Sequence, residues 1–344
     1  LSQDATYIVN DRIGYVQLAR FSHTSIEEFE QAIKELKQEG MEDLILDLSG
    51  NGGGWFPVAV ELADHFLSGN KEIVRTEGTK VPDRKYAARR SGLFEEGNLV
   101  VMIDGSSASA SEIVSGAIQD WDRGVIVGRR SFGKGLVQQP FQLSDGSLIR
   151  LTVARYFTPT GRLIQKPYEN GYEEYALDLI HRYNSGELSS EDSIKFPESQ
   201  QYRTLSLNRT VYGGGGIMPD YFVPVDTSAY TDYYGRLISR GLFNRYLLQF
   251  VDDNRKELLS KYVDFNSFNK KYQPSGKEMD ALVAFATKEE LEFNKEEWDI
   301  SKKQAALLFK AYLARDLWGM DYFYEVYNTS NVVFKKAVEI LENP

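Results

Sequence analysis

Leu99-Val-Val-Met-Ile-Asp-Gly-Ser-Ser-Ala-Ser-Ala-Ser-Glu112 is an apolar run that breaks into a glycine and a cluster of small hydroxylated residues. Five successive apolar residues bounded by a turn signal read as a buried strand. A helix is expected to follow, from about Ser109 to Asp120. The same succession occurs once before. Leu44-Ile-Leu-Asp-Leu48 runs into Ser49-Gly-Asn-Gly-Gly-Gly54, and a helix is expected from Pro57 to about Leu67 with proline in its first turn. Strand, glycine-containing loop and helix, twice over, predict an α/β core.

Working outward, Tyr7–Val9 and Ile13–Ala19 read as strands joined by the turn Asn10-Asp-Arg12. A helix is expected from Ser25 to about Gln38, with Ser25 and Glu28 spaced as a capping box. Val125–Val127 and Leu136–Leu143 read as further strands. Asp145-Gly146 makes a hairpin turn into a strand over Ser147–Phe157. Residues 168–212 are polar and weakly patterned and read as an extended excursion. Gly213–Gly216 then leads into the extended Ile217–Pro224. From about Thr227 the chain becomes aromatic-rich, charged and helix-patterned. Helices are expected over Tyr234–Asp252, Gly276–Ala286, Lys288–Phe293, Lys302–Trp318, Met320–Tyr327 and Asn331–Leu341. A domain boundary is placed near 226, between a core over 1–226 and a helical domain over 227–344.

The formal net charge of −10 argues against a nucleic-acid partner, which needs clustered Lys and Arg. The absence of cysteine excludes disulfides, thiol nucleophiles and thiolate metal sites. No apolar run reaches the roughly 18 residues of a membrane span. Leu1-Ser-Gln-Asp-Ala-Thr6 has neither the basic start nor the apolar stretch of a secretory leader. It reads as mid-protein sequence, so the chain is expected to be a fragment of a longer one.

Two segments carry candidate chemistry. A serine at a helix N-terminus faces unpaired backbone N–H groups and a favourable dipole, which can stabilise a developing oxyanion. Ser109 is so placed, with the Ala110 amide as one donor and the loop ending at Gly54 as source of a second. Lys134 lies 25 residues further on, in Ser131-Phe-Gly-Lys-Gly-Leu-Val-Gln138. Serine is a weak nucleophile that needs an adjacent base, and an unprotonated lysine can serve. No acidic residue lies between Gly124 and Ser144. The glycines beside Lys134 would let backbone approach a substrate closely. Each piece has a plainer reading: a solvated Gly-Lys-Gly turn, a helix-capping serine, a tight glycine turn. The glycine loop lacks the endings of a P-loop and of a dinucleotide fingerprint.

Together these segments resemble the carboxy-terminal processing, or tail-specific, proteases of the S41 serine peptidase family. The resemblance rests on Asp47-Leu-Ser-Gly-Asn-Gly-Gly-Gly54, Ser107-Ala-Ser-Ala-Ser-Glu112, Gln119-Asp120, Val127-Gly128 and Phe132-Gly-Lys-Gly135 with Gln138. Thr152-Val-Ala-Arg-Tyr-Phe-Thr-Pro-Thr-Gly161 and Gly215-Gly-Ile-Met-Pro-Asp220 extend it over about residues 6–225. It implies an α/β sandwich of the ClpP/crotonase kind, with Ser109 as nucleophile, Lys134 as general base and Gln138 positioning the lysine. The amides of Gly54 and Ala110 would form the oxyanion hole. Asp120 matches a family aspartate and is expected to give structural support. The implied activity is hydrolysis of peptide bonds in protein or peptide substrates near a C-terminus, without cofactor or metal. The implied setting is the periplasm or cell envelope of a bacterium, with homo-oligomers an expectation. The alternative is a non-proteolytic relative that binds hydrophobic ligands.

Departures from the family pattern bear on this. The PDZ domain expected upstream is absent from this chain, which leaves substrate selection open. Arg129 and Arg130 precede the lysine loop where an acidic residue is common, and would depress the lysine pKa if close in space. The three histidines, His23, His65 and His181, are scattered, and a triad through His65 is the weaker arrangement.

Overall fold

The computed structural model describes residues 2–168 and 171–343. It divides into two compact units, Leu1–Val225 with Lys336–Pro344, and Asp226–Lys335. The expected helical stretch 227–344 therefore differs from this division at its end. Leu341 O accepts from Arg12 Nη2 at 2.6 Å, and Glu342 accepts from Asn10 at 2.6 Å.

The strands of the first unit are β1 (Gln3–Val9), β2 (Ile13–Leu18), β3 (Asp43–Asp47), β4 (Glu72–Glu77), β5 (Arg84–Ala87), β6 (Leu99–Ile103), β7 (Val125–Gly128), β8 (Leu136–Gln142), β9 (Leu148–Phe157), β10 (Gln201–Arg203), β11 (Thr210–Tyr212) and β12 (Tyr221–Phe222). Its helices are α1 (Ser25–Gln38), α2 (Phe56–Asp64), α3 (Ala110–Asp120) and α4 (Tyr172–Asn184). One sheet has the order β1-β2-β3-β6-β7-β12 and a second β5-β4-β9-β8. From β2 to β12 the large sheet is parallel, and β1 joins it antiparallel. This is an α/β fold.

β3 and β6 are buried along their whole length, as parallel strands covered on both faces must be. α1 buries Phe29, Ala32, Ile33 and Leu36, the i, i+3, i+4, i+7 stripe of an amphipathic helix. Each of the larger side chains there stabilises by about 1.5–3 kcal/mol on burial. α2 and α3 pack against each other and against β4, while α3 also meets β7, so both sheets share one apolar core.

Several local expectations are corrected. The Ser25–Glu28 capping box is not formed. The Glu28 carboxylate instead accepts Ser2 N–H at 2.8 Å, Ser2 Oγ at 2.7 Å and Gln3 N–H at 2.9 Å, tying α1 to β1. Burial would raise this carboxyl, but those hydrogen bonds prevail and hold it down to about 2. The short mixed-polarity strands β4 and β5 have no counterpart in the sequence reading. The excursion over 168–212 contains α4, whose Arg182 reaches the backbone of Ser131 and Phe132.

The second unit is helical: α5 (Asp232–Ser239), α6 (Leu242–Lys261), α7 (Phe265–Lys271), α8 (Gly276–Lys288), α9 (Lys295–Trp318) and α10 (Met320–Tyr327), with α11 (Val332–Glu342) following. The helix expected over Tyr234–Asp252 is broken at Gly241, which adopts the left-handed conformation. The helix expected over Lys288–Phe293 is absent. Glu290 is left-handed at φ 62°, and Leu291 N–H closes back on Ala286 O at 3.0 Å, ending α8. The aromatic residues form a core, with Phe243, Phe268 and Phe309 fully buried.

Candidate active site

The loops that follow β3 and β6 lie side by side at the carboxyl ends of their strands, where ligands bind in parallel α/β sheets. They are fastened to each other. Ser107 Oγ donates to Leu48 O at 2.7 Å, Ser111 Oγ to Asn51 O at 2.8 Å, and Ala108 N–H to Asn51 O at 3.0 Å. Ser107 and Ser111 are thus buried packing residues. Asn51, also buried, donates to Leu18 O at 2.7 Å and accepts Gly53 N–H at 2.9 Å, which sets the glycine loop. Asp47 begins that loop. Burial pushes its carboxyl up, while Tyr15 and Ser49 pull it back by hydrogen bonds.

Ser109 is the N-cap of α3, with φ 55° and ψ −107°. The other non-glycine residues at positive φ among the described residues are Asn, Asp or Glu. A residue held so far from the populated regions costs on the order of 1–3 kcal/mol, and such strain gathers at functional sites. Gly53 packs against this strained residue. A Cβ there would lie 2.9 Å from Ser109 Cβ and 3.0 Å from Ala110 N, at a φ of 98°. Gly54 instead packs against Phe21, in an isolated parallel bridge. Neither Gly54 N–H nor Ala110 N–H finds an acceptor among the described residues, whereas Gly53 N–H is taken by Asn51.

Ser109 and Lys134 line one cavity of about 960 Å³, together with Gly52, Gly53, Gly54, Gln138 and Tyr156. Among the described residues no hydrogen bond joins Ser109 Oγ to Lys134 Nζ, no carboxylate pairs with Lys134, and Gln138, exposed on β8, makes no side-chain hydrogen bond to it. A second cavity of about 720 Å³ adjoins Lys134 and Gln138 on the side of Phe132, Tyr175 and Leu179.

Two residues without a role in the sequence reading hold the serine and lysine segments together. Glu112, fully buried, accepts Ser109 N–H at 2.7 Å and Lys134 N–H at 2.9 Å on Oε2. Its Oε1 accepts Gly133 N–H at 2.6 Å and Ser131 Oγ at 2.5 Å. Burial pushes this carboxyl up, and the four donors oppose the shift. The Tyr156 hydroxyl lies within donating distance of Ser109 O, at 3.1 Å, and of Lys134 O. Burial, with the nearby Glu112 carboxylate, pushes the Tyr156 phenol well above its ordinary value.

The glycines beside Lys134 admit the chain's own backbone. A Cβ on Gly133 would press on Gly215 and Gly216 at 3.1 Å, and one on Gly135 on Gln165 N at 2.9 Å. Gly135 N–H donates to Gln165 Oε1 at 2.8 Å. From α4, Arg182 donates to Ser131 O at 2.7 Å and Phe132 O at 3.1 Å. Arg130 is bidentate to Glu187, at 2.5 and 2.6 Å, so its charge is met there. Asp120 sits at the far end of α3, buried in an ion pair with Arg162 and accepting Thr160 N–H at 2.9 Å and Oγ1 at 2.8 Å. His65 is buried near Glu30 and does not line the cavity.

Residues 12–174 match the model of peptidase family S41. The chain carries an S41 peptidase domain. Residues 233–319 match a family of unknown function, DUF8443. The S41 domain is 40% identical over 155 residues to a chloroplastic C-terminal processing peptidase of Tetradesmus obliquus, covering 45% of this chain and 33% of that protein. It is 40% identical over 164 residues to a carboxy-terminal-processing protease of Bartonella bacilliformis, covering 46% and 38%. The chain thus spans 33% and 38% of the length of these relatives. The solved structure of a photosystem II D1 C-terminal processing protease aligns over 44% of this chain and 39% of its own, at 40% identity and a TM-score of 0.42.

Proposed function

We propose that the S41 domain is a serine endopeptidase with Ser109 as nucleophile and Lys134 as general base, acting on protein or peptide substrates near their C-termini. The observation that carries this reading is the strained Ser109 at the head of α3, beside unpaired amides and in one cavity with a lysine that no carboxylate neutralises. In the proposed sequence, neutral Lys134 takes the Ser109 proton as Oγ attacks the peptide carbonyl. The Ala110 and Gly54 N–H groups receive the oxyanion. Protonated Lys134 then gives its proton to the leaving amine, and water hydrolyses the acyl-enzyme.

Cleavage of a mixed peptide pool, read by mass spectrometry, tests the assignment. Ser109→Ala and Lys134→Ala should each abolish it, while Gln138→Ala should slow it. Unchanged cleavage by either of the first two variants sinks the assignment. A chain that retains apolar ligands in that cavity and cleaves nothing would be the non-proteolytic relative.

A further inference from the structure

We propose that the serine-lysine cleft recognises a carboxylate on its peptide, through Arg84 and Arg150. The inference deepens the peptidase reading and rests on it only in taking the ligand to be a polypeptide.

Arg84 on β5 and Arg150 on β9 both line the cavity that holds Ser109 and Lys134, and no Asp or Glu lines it. Neither guanidinium has a hydrogen bond or ion pair among the described residues. Of the other cations of the same sheet, Arg75 is met by Glu77 at 3.1 Å and Lys85 by Glu72 at 3.2 Å, while Arg155 on β9 does not line the cavity. Asp83, next to Arg84 in the chain, accepts Gly78 N–H instead. The cleft therefore carries positive charge on a chain whose formal net charge is −10. A cleft of one sign concentrates ligands of the other, here against the sign of the whole molecule.

The position is set by the sheet. Arg84 stands opposite Thr76, and Thr76 opposite Tyr156, so the three form one cross-strand row, and all three line the cavity. Tyr156 is the residue whose hydroxyl meets Ser109 O and Lys134 O. Two strand spacings, about 10 Å, separate Arg84 from Tyr156 along this row. That is the reach of about three extended residues, so a carboxylate at Arg84 belongs a few residues from the bond to be cleaved, while Arg150, six residues or about 20 Å along β9 from Tyr156, lines the same cavity further out. A guanidinium offers a planar fork that matches a carboxylate bidentately. The carboxylate can be the chain terminus of the peptide or an Asp or Glu side chain, and the two are separable.

The test uses the full 344-residue chain as the Ser109→Ala variant, so that binding is read without turnover. One fluorescein-labelled peptide is made in four forms: free acid or amide at the C-terminus, with Glu or Gln in its body. Fluorescence anisotropy should give at least fivefold tighter binding for forms bearing the carboxylate. A gain confined to the free acid assigns the chain terminus; a gain confined to the Glu forms assigns the side chain. Adding Arg84→Gln and Arg150→Gln should bring the ratio toward one. Arg84→Glu with Arg150→Glu should reverse it in favour of a fifth form of the peptide, with Lys in place of Glu and an amide at its C-terminus. Equal binding of all four forms, or a preference that survives both double variants, overturns the proposal. Wild-type turnover of the same peptides is a separate readout. Failure there counts against the peptidase assignment, and the anisotropy ratios still decide the carboxylate.

Discussion

Replacing Glu112 by Gln is the sharpest probe of how this site is held. The carboxylate receives four donors, two on each oxygen. A carboxamide presents one oxygen and one NH2 group. Whichever way it turns, two donors face an N–H. If the NH2 takes the Oε2 place, Ser109 and Lys134 lose their shared acceptor; in the other orientation Ser131 and Gly133 do. Each hydrogen bond to a charged group contributes about 1.5–3 kcal/mol, so about 3–6 kcal/mol of local interaction is removed. The amide also escapes the cost of burying a charge, which leaves a net destabilisation of about 1–3 kcal/mol. Activity should fall further than stability. A displacement of about 1 Å between reacting groups costs on the order of a hundredfold, and Glu112 is the tie between the two backbones. Peptide cleavage should give a kcat/KM lower by roughly that factor at a temperature where the variant remains folded. Urea denaturation supplies an independent sign. Because burial holds the native carboxyl above its ordinary 4.5, the folded state binds more protons than the unfolded state above that pH. Wild-type stability from this group is therefore lost as pH rises. The amide does not titrate, so the wild-type advantage over Glu112→Gln should shrink from pH 4.5 upward. Wild-type kcat/KM in the variant, or a stability gap that widens with pH, refutes the reasoning.

Gly53→Ala should reduce kcat/KM by at least tenfold, because its Cβ would fall 2.7 Å from Ala108 O and 2.9 Å from Ser109 Cβ. Peptide cleavage beside a thermal melt separates this from a general loss of fold. Asp120→Ala leaves the Arg162 guanidinium buried without its partner, and chemical denaturation should register a loss of about 3–5 kcal/mol. For Glu28→Gln, the partly exposed position and solvent screening reduce the expected loss to about 1 kcal/mol at pH 7. The native carboxyl lies near 2 and the unfolded one near 4.5, so that difference should be constant above pH 4.5 and disappear as pH falls toward 2. Denaturant midpoints across that range check it.

What the sequence exposed was what local pattern can expose. The apolar runs of β3 and β6, the small residues after them and the stripe of α1 are each readable within a few turns of chain. Ser109 and Lys134 could be singled out as candidates because their motifs are short and contiguous. Glu112 stood in the quoted stretch itself but could not be given its role. Three of its four donors come from Ser131, Gly133 and Lys134, 19 to 22 residues away. Tyr156 read as one more strand residue, and Gln165 lies before the 168–212 excursion in a stretch that was given no reading. The Gly133 and Gly135 flanks were assigned to substrate approach, although the crowding that requires them comes from Gly215, Gly216 and Gln165. α4 was passed over; among its ties to the core, Arg182 reaches backbone carbonyls, a contact that leaves no apolar signature.

These unread contacts bear on how the proposed nucleophile and base would meet. On the Lys134 side, the N–H groups of Gly133 and Lys134 are fixed by Glu112, Lys134 O lies against the Tyr156 hydroxyl, and Gly135 N–H is fixed by Gln165. On the Ser109 side, its N–H is fixed by Glu112 and its carbonyl lies against the same tyrosine. The two backbones are therefore bound to common partners, and neither can shift without breaking more than one hydrogen bond at once. Bringing Lys134 Nζ onto Ser109 Oγ is then a matter of side-chain torsions, each turning between staggered wells. Lysine has the torsions to do this, and no ion pair holds its ammonium elsewhere. The fixed backbone and the one long, unpaired side chain would then divide the work: Glu112 and Tyr156 set where the lysine is rooted, and under the proposed mechanism a peptide filling the cavity would set where its nitrogen points.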